Sequence, residues 1–204
     1  MAAIIAFHTA LVRVNSVVLA VGRSISWVLM AAMVAVILAQ VFYRYVLNDP
    51  LSWPEEASLS LMIWMMALMA PTAYRWGGFV AIDMVSDLLP KLLQFILTFT
   101  LMAISGVVLV FLLNEAWTQF TSPILFNSSG LNRLLQDSGI NQVLGTDFEF
   151  RAAYIYFAMV SCFAMMLSVN IELLLRKIGR TFASADEFAA PQQPDFMKSS
   201  AGAE

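Results

Sequence analysis

The 204-residue chain is 60% hydrophobic and only 12% charged, with a mean hydropathy of +0.78 and a formal net charge of −3. Soluble domains carry roughly 25% charged residues, so this composition excludes an ordinary soluble globular protein and points to a membrane. No basic stripe exists to neutralise phosphates, which excludes nucleic acid as a partner.

The first segment, Met1 to Leu11, is apolar but lacks the basic n-region of a cleavable signal peptide. Arg13 and Arg23 follow apolar residues rather than precede them. These features predict an interfacial helix over about 4–20 that leads into a first span over about 24–46, whose stretch 24–43 holds no charge. Ala31, Ala35 and Ala39 form a small-xxx-small row on this span, suited to close approach of another helix.

The second span is expected over about 55–75. Its uncharged stretch, 57–74, covers about 27 Å at roughly 1.5 Å per residue, close to the hydrocarbon thickness of a bilayer. Ser52-Trp53-Pro54-Glu55 reads as a capping box with Ser52 as N-cap. Pro54 suits a first helical turn, where a missing N–H costs no intrahelical bond. Glu55 and Glu56 favour the positive end of the helix dipole and Arg75 the negative end. Pro71 is expected to bend the helix near its exit. Met62, Met65, Met66 and Met69 share one face; without Cys or His nearby, the stripe suits helix packing better than a Cu(I) site.

Asp83, Ser86 and Asp87 lie opposite Phe79, Ile82, Val85 and Leu89, which predicts a second interfacial helix over about 79–89, ended by Pro90. A third span follows over 92–114. An outer loop over 115–150, with a possible short helix at Leu131 to Leu135, precedes a fourth span over about 151–175. The tail over 181–204 has the composition of a disordered segment. The expected fold is an all-α integral membrane protein, one four-helix domain over 1–180 with short interfacial amphipathic helices.

With both termini in the cytoplasm, eight basic residues (Arg13, Arg23, Arg75, Lys91, Arg176, Lys177, Arg180, Lys198) lie inside and three (Arg44, Arg133, Arg151) outside. The positive-inside rule therefore favours this orientation. The outer side then bears seven acidic residues against those three, a formal charge of −4.

Haem ligation within a bundle needs several intramembrane histidines, and the chain has one, His8, read as an interfacial side chain. Cys162 is the single cysteine and reads as a small buried hydrophobe. No cofactor is expected. Carriers place ionisable groups near the midplane, whereas all four span interiors here are uncharged. Gln40 and Asn170 lie near helix ends, and Glu172 is set to pair with Arg176 one turn later. Neither an enzyme nor a self-sufficient carrier follows from these residues.

The stretch from Val41 to Pro90 resembles a known family. Arg44-Tyr45 closes the first span, Asn48-Asp49-Pro50-Leu51-Ser52-Trp53 makes the turn, and Glu55-Glu56, Trp64 and Arg75-Trp76-Gly77-Gly78 followed by Asp83 complete the pattern. This order is similar to the small (Q-type) membrane subunit of TRAP (tripartite ATP-independent periplasmic) transporters. Two features depart from it: Gly78 and Phe79 stand where members often carry an acid and a His, and the outer loop is longer than usual.

The resemblance implies a non-enzymatic subunit of the bacterial inner membrane. Its expected partners are a large polytopic subunit, which carries the substrate and sodium sites, and a periplasmic binding protein that delivers an organic acid. It implies that Arg44, Trp53, Glu55 and Glu56 form an outer cluster facing these partners, with Trp64 in the span behind them. Arg75 and Asp83 are expected to hold the cytoplasmic turn, as a candidate ion pair. Other readings are a subunit of a tripartite tricarboxylate transporter, a redox-complex membrane anchor, and a stand-alone channel or copper carrier.

Overall fold

The computed structural model describes residues 2–77, 90–122 and 153–182. They form four helices: α1 (Ala2–Tyr45), α2 (Pro54–Gly77), α3 (Lys91–Thr121) and α4 (Ala153–Phe182). Each is long and apolar enough to cross a membrane. The protein is an all-α multi-pass membrane protein.

α1 is one unbroken helix of 44 residues, about 66 Å at roughly 1.5 Å per residue. The segments expected as an interfacial helix and a span are thus continuous. No proline interrupts them, and the one glycine in the interior, Gly22, costs only about 1 kcal/mol of helix propensity. Gly22 faces α2, where a Cβ would meet the Leu68 carbonyl oxygen at 3.5 Å, an ordinary van der Waals contact.

Asn48 takes a left-handed conformation (φ 52°) just beyond the end of α1, and the Asp49 N–H bonds back to the Tyr43 carbonyl at 3.2 Å. Asn tolerates this region better than most side chains. At the start of α2, the Trp53 carbonyl accepts the first helical bond, from the Ala57 N–H at 3.0 Å. Trp53 is therefore the N-cap rather than Ser52, and Pro54 occupies the first helical position, where its missing N–H is harmless. Pro71 sits inside α2, which runs through it to Gly77. α3 continues past Asn114 to Thr121, into the region expected as outer loop. The predicted helices over 79–89 and 131–135 lie outside the described residues, as does the tail beyond Phe182.

α1 packs along α2, and α4 lies against both α2 and α3 while also touching α1. The buried positions follow helical seams: His8, Asn15, Leu19, Gly22 and Ser26 on α1; Ser60, Ala67, Pro71, Thr72 and Arg75 on α2; Thr98, Met102, Leu109 and Ala116 on α3. Leu19, Met102, Val169 and Leu173 meet in one cluster, with Tyr74 against it, so all four helices contribute to the core. Because α2 buries mostly small residues, its methionines point outward. Met62, Met66 and Met69 are exposed, and Met65, Met66 and Met69 line an open groove with Trp27 and Met30 of α1.

Candidate functional site: a buried charged junction and an outer turn

Beside this core lies a junction of charged and amide side chains. Glu172 of α4 is fully buried, and the Arg75 side chain of α2 is 2% exposed. Arg75 donates to Glu172 Oε1 from Nη2 at 2.7 Å and from Nε at 3.1 Å. Arg176, one turn along α4, donates to the same oxygen from Nη2. The second oxygen, Oε2, accepts from Asn15 Nδ2 of α1 at 2.8 Å. The carboxylate thus accepts from three helices, and its charge is met by two guanidinium groups.

The same groups fasten α1 in register. Arg75 Nη1 donates to Ser16 Oγ at 3.0 Å, and Nη2 reaches the Val12 carbonyl at 3.5 Å. Ser168 Oγ donates to Asn15 Oδ1 at 2.7 Å, while Asn15 Nδ2 also points to the Ser168 carbonyl at 3.3 Å. Charge-assisted bonds of this kind are roughly twice as strong as neutral ones. Removing one partner would leave a buried charge uncompensated. The junction therefore fixes how α1, α2 and α4 sit together.

A smaller polar network ties α2, α3 and α4. Asn170 Nδ2 donates to Tyr74 Oη at 2.6 Å and to the Met102 carbonyl at 3.4 Å, and Tyr74 Oη lies 2.8 Å from Ser105 Oγ. Gly106 makes room for it, since a Cβ there would lie 3.0 Å from Asn170 Oδ1. That oxygen is buried without a hydrogen-bond donor.

The residues expected at the outer face sit apart from this junction. Arg44 is exposed, with its guanidinium carbon 5.8 Å from the Tyr45 ring centroid. It forms no ion pair with Glu55, which is also exposed. Trp53 and Glu56 are half-buried at the start of α2. Trp64 packs against Phe157 at 6.3 Å between ring centroids, and Phe157 in turn meets Phe120 at 5.6 Å, so an aromatic row links α2, α4 and α3. Asp83 lies outside the described residues. Within the described residues, the acid that Arg75 meets is Glu172.

The sequence reading paired Glu172 with Arg176, a contact that is present, but missed Arg75 and Asn15 as further partners. A signal was available. Arg75 and Glu172 each stand immediately beyond an uncharged run, on helices ending at the same side of the membrane. His8, read as interfacial, is buried on the α1 seam.

The family model described as tripartite ATP-independent periplasmic transporters, DctQ component, matches residues 33–180. That is 148 of 204 residues, well over half the chain. The chain belongs to this family. It is the small component of a TRAP transporter, and the family is a class of transporter components rather than of enzymes. No curated protein matches the chain. The DctQ match covers the α1–α2 turn, the Arg75–Glu172 pair and the Tyr74–Asn170 network, while Val12, Asn15 and Ser16 precede it.

Proposed function

We propose that this DctQ component is a non-transporting brace. It holds the large subunit of a sodium-coupled organic-acid transporter in the bacterial inner membrane and helps dock the periplasmic binding protein. The observation that carries the reading is the state of Glu172, the buried carboxylate among the described residues. Its oxygens are occupied by Arg75, Arg176 and Asn15. A carboxylate so engaged serves as a structural tie rather than as a site that exchanges a sodium ion or a proton during a cycle. Substrate and sodium binding then belong to the large subunit, and this chain needs no cofactor of its own.

Both termini face the cytoplasm in this reading, supported by the distribution of basic residues. The exposed Glu55 and Arg44 at the α1–α2 turn face the periplasm, where a soluble delivery protein approaches. Affinity purification of the tagged chain in mild detergent tests the proposal. A larger polytopic protein is expected to accompany it in fixed stoichiometry; recovery of the chain alone, or with a haem- or flavin-containing enzyme, would count against the reading.

A further inference from the structure

The first turns of α1 are seated on the bundle by a single side chain. From Ile5 to Leu11 only His8 is buried, at 3% exposure, while its neighbour Phe7 is 57% exposed. Farther along, Val12, Asn15 and Ser16 bond to Arg75 and Glu172. His8 therefore lies one helical turn before the junction, on the same seam of α1. Sixteen residues separate it from Ser24, the first of the uncharged run 24–43. At roughly 1.5 Å per residue that is about 24 Å beyond the spanning stretch.

Register sets His8 against α4. As the first and last of four consecutive spans, α1 and α4 run antiparallel, and Asn15 bonds Glu172 where they meet. Seven residues back along α1 is His8, and seven on along α4 is Gly179; both are buried, at about the same level. Arg176 lies on α4 between Glu172 and Gly179, and its charge and that of Glu172 both act on the imidazole. Arg75 of α2 meets the same carboxylate. On α1 itself the nearest charge is Arg13, which is exposed.

Among the described residues, this end of the bundle thus sets two guanidinium groups against one carboxylate. A protonated His8 would add a second excess positive charge in a place shielded from water. Burial first, and Arg176 second, hold its pKa below the ordinary value, against an opposing pull from Glu172. Released into water, the same ring titrates near about 6.5. The released segment then takes up a proton that the seated one refuses. The seat is therefore firm above about pH 6.5 and weakens as the pH falls below that value.

We infer that His8 is a pH-sensitive latch, whose protonation frees the first turns of α1 from α4 while the junction from Val12 onward keeps its hold. In the proposed orientation the latch lies on the cytoplasmic side, so acidification there opens it. That location rests on the proposed orientation; the latch itself does not.

The test is pulsed electron-spin distance measurement on the full chain in lipid nanodiscs, in a Cys162→Ser background. One pair of spin labels is placed at Ala6 of α1 and Ile178 of α4, both exposed. A control pair is placed at the exposed Val28 of α1 and Val107 of α3. Between about pH 7.5 and about pH 5.5, a ring that titrates only when released raises the ratio of released to seated segment by up to about tenfold. Longer Ala6–Ile178 distances should grow accordingly in the wild-type sequence, with the control pair unchanged. The His8→Gln variant should show one distribution at both pH values. A pH-independent Ala6–Ile178 distance in the wild-type sequence would overturn the latch. So would the same response in His8→Gln, or a control pair that changes in parallel, since the bundle would then be loosening as a whole.

Discussion

Truncating Glu172 tests whether the junction holds the bundle together. Glu172→Ala removes the acceptor of two Arg75 bonds, one Arg176 bond and one Asn15 bond. Arg75 is then left 2% exposed with Ser16 Oγ and the Val12 carbonyl as its acceptors among the described residues. Breaking a buried ion pair in this way costs about 3–5 kcal/mol, whereas exposed pairs contribute at most about 1 kcal/mol. At 1.4 kcal/mol per decade, the folded-to-unfolded ratio should fall by roughly 10² to 4 × 10³. Arg75→Ala should cost a similar amount. The pair Arg75→Met with Glu172→Met should recover much of the loss, since neutral isosteres strand no charge, and Arg176, with its side chain 11% exposed, can extend towards water. Steric-trap unfolding in bicelles provides the free energies, and a double-mutant cycle isolates the coupling. If the Arg75→Ala and Glu172→Ala effects each fall below about 1 kcal/mol and add within about 0.5 kcal/mol, the junction does not do what its geometry implies.

Tyr74→Phe removes an oxygen that bonds both Asn170 and Ser105, and should cost about 1 kcal/mol in the same unfolding assay, the scale of interhelical bonds in membranes. Gly106→Val places a branched side chain where a single Cβ already lies 3.0 Å from Asn170 Oδ1, and should destabilise by about 1–3 kcal/mol; a neutral result would mean that α3 and α4 are less tightly apposed. Charge reversal at Glu55 and Glu56 should change stability by about 1 kcal/mol or less through the helix dipole, yet lower binding-protein-dependent uptake severalfold. Wild-type uptake by that variant would remove the outer turn from the docking account.

The four helices were readable from uncharged runs of 18 to 23 residues, because lipid leaves a spanning segment few other solutions. Helix ends were harder to read. Ser52 satisfied the capping pattern, but the chain turns one residue later because Pro54 is accommodated at the first helical position. The length of α1 was also concealed, since Arg13 and Arg23 resemble flanking charges although the helix runs through both. The junction was legible only in part. Arg176 lies one turn from Glu172 and local spacing reveals it, whereas Arg75 and Asn15 are 97 and 157 residues away. Those contacts depend on helix order and rotation, which composition does not encode. The methionine stripe suggested a packed face, but α2 turns its small residues inward and that stripe outward.

In the proposed role, this DctQ component supports transport without forming the pathway. Sodium-driven uptake of an organic acid into proteoliposomes, with each of the three components omitted in turn, tests it most directly. Uptake is expected when all three are present, with a severalfold or greater loss without this chain and no flux through liposomes that contain this chain alone. Sodium-dependent flux through the chain alone, or full uptake in its absence, would contradict it.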